Sequence, residues 1–162
     1  MAADPAIADE LHRLRARVPQ LTGALAASVD GLVIAADTPG SEPESLAALT
    51  AAALGVAVRM TDVTGQGELR ELLVRGVQGY VATYAAGRTA VLTLLARDDV
   101  SVGRLHLEGR RAATRIGELV DARPQTKTQA QAKAPARAPA KSPPTRTRTP
   151  RTNRSTPTTT ES

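Results

Sequence analysis

The 162-residue chain carries 21 Lys+Arg against 16 Asp+Glu, has no cysteine, Phe or Trp, and has two tyrosines. That length leaves room for one domain of ordinary size, and the lack of cysteine excludes a disulfide framework and a thiolate metal site. The charge is unevenly spread: residues 1–122 hold 12 Lys+Arg and 15 Asp+Glu, net −3, while residues 123–162 hold 9 and 1, net +8, so the composition does not describe a basic nucleic-acid-binding domain.

Asp4-Pro5 opens with a helix start signal, because a carboxylate at the N-cap accepts from free amides and Pro at the first helical position loses no hydrogen bond. Ile7, Leu11, Leu14 and Val18 follow at helical spacing, and Pro19 stops the helix. Leu21 to Val29 is an Ala-rich strand and Leu32 to Ala36 its return. Between them Asp30-Gly31 is expected to form a two-residue type I′ turn. After the breakers of residues 38–43, Leu46 to Met60 reads as a helix apolar nearly all round, of the kind usually covered on more than one side. Thr64-Gly65-Gln66-Gly67 ends it.

Three strands are then expected, Leu69 to Arg75, Tyr80 to Tyr84 and Thr89 to Ala96, joined by connections short enough to require antiparallel hairpins. Ser101 is placed to cap a last helix with Val102, Leu105, Gly109, Ala112, Ala113, Ile116 and Val120 on its inner face. From Ala122 onward there is no Leu, Ile, Val, Met or aromatic residue, so residues 123–162 are expected to be a disordered tail after a folded domain of residues 1–122. No leader pattern and no apolar run approaching the roughly 18 residues of a membrane span are read, which makes a cytoplasmic protein the expectation.

This order of elements, together with Ser28-Val29-Asp30-Gly31-Leu32-Val33-Ile34-Ala35, Glu44-Ser45-Leu46-Ala47-Ala48-Leu49, Val77-Gln78-Gly79-Tyr80-Val81 and Ala90-Val91-Leu92-Thr93-Leu94-Leu95, resembles the roadblock (dynein light chain) family, especially its actinobacterial and gliding-regulator branches. The resemblance spans about Leu11 to Val120. It implies an α/β fold of the roadblock/profilin-like type, α-β-β-α-β-β-β-α, with the middle helix on one face of a five-stranded antiparallel sheet and the terminal helices on the other. It also implies a homodimer paired through the third strand, and a non-catalytic, cofactor-free adaptor or regulator of small Ras-like GTPases or of motor complexes. The Ala-rich first strand and the tail depart from the family pattern.

The residues support a dimer on separate grounds. A third strand with no Pro or internal Gly is an edge that needs a partner, which nominates Leu69, Glu71, Leu72, Leu73 and Val74. Ala48, Ala52 and Gly55 of the middle helix would let another backbone come close, and Gly55 costs about 1 kcal/mol relative to Ala in a helix interior. Thr64-Gly65-Gln66-Gly67-Glu68 lacks the Lys-Ser/Thr ending of a phosphate loop and precedes a strand, so it is read as a helix end. His12 and His106 have no second His or Cys at ligand spacing and are read as structural, and Ser28 near Asp30 as a strand ending in a turn.

The tail residues Lys127, Lys133, Arg137, Lys141, Arg146, Arg148, Arg151 and Arg154 suit a polyanion, whether nucleic acid, anionic lipid or an acidic protein. The functional expectation is therefore a homodimeric adaptor for a small GTPase, or for a sensor-kinase complex containing one. The alternative is an electrostatic tether acting through the tail.

Overall fold

The computed structural model describes residues 4–122. The tail, with Lys127, Lys133, Arg137, Lys141, Arg146, Arg148, Arg151 and Arg154, lies outside the described residues. Eight elements run α1 (Pro5–Arg17), β1 (Leu21–Ser28), β2 (Val33–Asp37), α2 (Pro43–Val63), β3 (Glu71–Gly76), β4 (Gly79–Ala86), β5 (Ala90–Arg97) and α3 (Val102–Asp121). The expected order holds, and the bounds differ where local chemistry outweighs periodicity.

Asp4 caps α1 as anticipated, its carboxylate accepting from the Ala6 amide at 2.9 Å and the Ile7 amide at 3.4 Å. Ser101 stands at the N-cap of α3 without a side-chain capping bond. The middle helix is longer than the periodicity of Leu46 to Met60 suggests. It starts at Pro43, where a Pro fits the first turn, and closes when Gln66 and Gly65 donate to the Thr61 and Asp62 carbonyls with Gly65 at φ 66°. The third strand begins at Glu71, two residues later than Leu69.

The first hairpin corrects the turn assignment. Gly31 donates to the Ser28 carbonyl with φ 84°, and Ser28 donates to Leu32, so Val29 and Asp30 are the central pair of a three-residue loop and Gly31 takes the left-handed position after it. Gly31 also rests against α2, since a Cβ there would lie 3.3 Å from the Ala48 Cα.

The strands form one antiparallel sheet in the order β2-β1-β5-β4-β3. Strand alternation sends Ala24 and Ala26 to one face and Leu25 and Ala27 to the other. The first face, with Leu92, Leu94 and Tyr84, packs against Ile7, Leu11 and Leu14 of α1 and Leu105, Ala112 and Ile116 of α3. Tyr84, the largest buried side chain, is accommodated because α3 presents Gly109, where a Cβ would fall 2.5 Å from the Tyr84 ring. Gly117 similarly lets α3 meet the backbone of Gly87.

The second face is thinly covered. Leu25, Ala27 and Val91 pack under Ala47 of α2, with Leu46 and Leu54 beside them, and α2 lies over β1 and β2. Among the described residues α2 is thus covered on one side only. The expectation that no apolar run approaches a membrane span is corrected here: this 21-residue helix, with a mean hydropathy of 1.5 in its most apolar window, is long and apolar enough to cross a membrane by length and composition.

Candidate interaction face

The residues of α2 present two stripes. Leu46, Ala47, Thr50, Leu54 and Ala57 point to the sheet, whereas Leu49, Val56, Met60 and Val63 are 61 to 80 % exposed. Their spacings of seven, four and three residues put the second set on one helical face. The spacing alone marks that stripe, whereas the expected contact is the set of small residues Ala48, Ala52 and Gly55. Of those, Ala52 and Gly55 lie in the open face, and a Cβ on Gly55 would meet nothing within 4 Å. Ala48 sits beneath the Gly31 turn.

Because α2 stops over β1 and β2, a groove of about 940 Å³ opens between it and the rest of the sheet. Leu54, Gly55 and Val58 form one wall, Thr83, Ala85 and Val91 the floor, and Leu69 and Glu71 the far side, with Arg59, Arg70 and Arg88 also lining it. A buried hydroxyl chain fixes the floor to the helix: Thr83 and Thr93 Oγ1 are 3.2 Å apart, and Thr93 donates to Thr50 at 3.3 Å. Nothing in the periodicity of the sequence announces that chain, since Thr suits a strand for its branching alone.

The β3 edge bounds the groove. A two-residue connection, Val77-Gln78, makes Gly76 and Gly79 a hydrogen-bonded closing pair, and the register Val74↔Val81, Leu73↔Ala82, Leu72↔Thr83 then sets the alternation. Leu72 and Val74 direct their amides to β4, and Glu71, Leu73 and Arg75 direct theirs outward. Side chains alternate too, Leu72 and Val74 toward the α2 face and Glu71 and Leu73 toward α3.

Glu71 is engaged inside the subunit. Arg110 grips its carboxylate with two bonds of 2.7 and 2.8 Å, and His106 Nδ1 lies 3.6 Å away. The Arg110 hydrogen bonds hold the Glu71 carboxyl below its ordinary value, against the opposing effect of burial, with the charges of His106 and Arg110 adding to them. The Tyr84 hydroxyl donates to the Leu105 carbonyl at 3.4 Å, lies 3.1 Å from His106 Nδ1, and is pushed up by burial first and by the Glu71 charge second. This clamp ties the first residue of the edge strand to α3. His106 therefore has a role in packing, while His12 is exposed, 3.7 Å from Asp37. Among the described residues no group of three or more His, Cys, Asp and Glu is placed to hold a metal ion.

Comparison with known proteins places this geometry. A family model described as Roadblock/LC7 domain matches residues 7–96. An uncharacterized protein of Methanocaldococcus jannaschii, MJ0310, is 33% identical over 97 residues, covering 59% of this chain and 84% of that protein. In fold, the chain is similar to the gliding protein MglB of Thermus thermophilus, with a TM-score of 0.66, 21% identity and coverage of 71% and 88% of the two chains. It is also similar to a Roadblock/LC7 domain from Streptomyces avermitilis, with a TM-score of 0.65, 23% identity and coverage of 70% and 97%.

Proposed function

The chain belongs to the Roadblock/LC7 domain family, and from that premise we propose that it is a non-catalytic homodimeric adaptor that regulates or localises a small Ras-like GTPase, or a signalling complex containing one. The observation that carries the proposal is the coincidence of an apolar stripe on α2 with an edge at β3, neither of them covered by any other of the described residues. Burying a side chain of the size of Leu49 or Met60 stabilises by about 1.5–3 kcal/mol, whereas association costs roughly 4–15 kcal/mol. The stripe alone gives a marginal complex. Adding the outward amides of Glu71, Leu73 and Arg75 and the apolar side chains of Leu72 and Val74 makes a dimer of the two features together the favourable arrangement.

The GTPase comes from what membership of the family implies, and in that reading the partner performs any chemistry. Affinity capture from the native extract tests it: the full chain should retain a small GTPase, and a Val56→Asp/Met60→Asp variant that melts normally should lose it. Retention of no GTPase by the wild type would reject this partner class. Calorimetric titration of the purified chain with GTP and magnesium should give no binding heat, and a stoichiometric signal would contradict the non-catalytic assignment.

A second reading is favoured by the charge of the tail, net +8 over residues 123–162. In it the domain of residues 1–122 only dimerises, and the tail tethers the protein to a polyanion with affinity that falls steeply with salt. Capture that survives removal of residues 123–162 supports the adaptor, and capture that disappears supports the tether.

A further inference from the structure

The opposite face of the sheet carries a feature that the GTPase reading does not use. Along the seam of α1 and α3, four guanidiniums share two carboxylates and a fifth lies beside them. Arg13, Arg17 and Arg115 reach Glu10 at 3.7, 3.0 and 3.5 Å, Arg17 and Arg111 reach Glu108 at 2.9 and 3.2 Å, and Arg104 donates to the Arg17 carbonyl at 2.7 Å. The carboxylates are withdrawn, Glu10 being 2 % and Glu108 13 % exposed, while Arg13, Arg111 and Arg115 are 63 to 66 % exposed. The buried anions fix the arginines, and the cations face solvent.

Two clefts lie along this seam and share Glu10 and Arg115. One, of about 450 Å³, is lined by Arg17, Arg111 and Arg115 with Thr114 and Glu108. The other, of about 480 Å³, has Arg13 and Arg115 but also the exposed Asp9 and Glu118. The positive surplus is therefore at the Arg17–Arg111 end. A structural reading, an ion-pair network joining two helices, accounts for Arg17 holding Glu10 and Glu108. It does not need Arg104, Arg111 and Arg115 as well, since exposed pairs contribute little to stability.

We propose that the Arg17–Arg111 end of the α1/α3 seam is a second docking surface, which takes an extended acidic peptide of a partner protein through Arg17, Arg104, Arg111 and Arg115. The spacing and the chemistry both favour that occupant. Arg111 and Arg115 are one helical turn apart, a rise of about 6 Å, close to the roughly 6.6 Å between alternate residues of an extended strand. Guanidinium forks bind carboxylates two bonds at a time. A cleft between two helices suits a chain lying along it better than a planar lipid surface. The seam lies across the sheet from α2, so both faces can be occupied at once.

The test uses the full chain and a peptide of alternating Glu and Ala, about 16 residues long. In ¹⁵N-correlation spectra the peptide should shift the amides around Arg17, Arg104, Arg111 and Arg115. An Arg104→Gln/Arg111→Gln/Arg115→Gln variant, which keeps Arg17 on both carboxylates and should melt like wild type, should lose those shifts and bind roughly tenfold more weakly. Shifts confined to residues 123–162, or an unchanged affinity in the variant, would overturn the proposal. So would phosphatidylserine vesicles producing the seam shifts where the peptide does not, since that outcome assigns the surface to a membrane. If the triple variant melts early, Arg111→Gln alone, which leaves Arg17 on Glu108, supplies the same comparison, and an unchanged affinity there overturns the proposal.

Discussion

Glycine acts in opposite senses at two helical positions of this chain. At Gly117 a methyl group would run into the backbone of Gly87 and Ala86, neither of which can swing aside, so Gly117→Ala should cost about 1–3 kcal/mol despite its better helix propensity. At Gly55 the space is open. Gly55→Ala should therefore raise the melting temperature of dilute protein, by about 0.5–1 kcal/mol in stability, and weaken association where a covering chain approaches that position. Thermal melting at low and high protein concentration checks both, and a Gly117→Ala variant as stable as wild type would mean that α3 does not meet the β4–β5 turn as described.

Glu71 is the residue whose titration the packing makes visible. Its carboxyl is held below its ordinary value of 4.5, first by the hydrogen bonds from Arg110. A depressed folded value contributes stability that is fully present above the ordinary value and is lost as the pH falls through the depressed one. The stability difference between wild type and Glu71→Gln should thus be constant near neutrality and shrink in acid. Chemical denaturation from about pH 3 to 7 measures it, and a difference that does not change over that range would contradict the clamp.

Among the elements, β3 makes the sharpest distinction between neighbours. Leu73 directs its amide outward and Leu72 directs its own into β4, by the register that Gly76 and Gly79 set. Proline removes an amide and strains the strand in both cases. Leu73→Pro should leave a cooperatively melting monomer, and Leu72→Pro should damage the sheet. Size and melting cooperativity of the two variants decide it, and two dimeric variants would reject strand pairing. The sequence could not assign these roles, because they depend on register, and register depends on a turn whose pairing is set in three dimensions.

Other elements show where sequence reasoning succeeds. The inner face of α3 was legible through Leu105, Gly109, Ala112, Ala113 and Ile116, all buried, because a 3.6-residue period and burial coincide on an amphipathic helix. The role of Gly117 is not written in the sequence, since a close backbone approach leaves no mark on periodicity. The start of α2 lies at Pro43, ahead of the apolar period, because Pro fits the first turn, whereas its close at Thr64-Gly65 falls where the breaker residues of the sequence put it. Within the candidate face, Leu72 and Val74 lie as an edge strand should, but the commitment of Glu71 to Arg110 rests on a contact 39 residues distant in the chain.

At the scale of the folded domain, the described residues leave apolar surface and strand edge on one side of the sheet and arginine on the other. In the proposed dimer, α2 and β3 are completed by a second copy of the chain. Sedimentation velocity of the full chain over roughly a hundredfold range of concentration, beside the Val56→Asp/Met60→Asp variant, tests it most directly. The expected result is a wild-type dimer that dissociates only on dilution and a variant that stays monomeric with its cooperative melting intact. A wild type that is monomeric throughout, or a variant that remains dimeric, would contradict it.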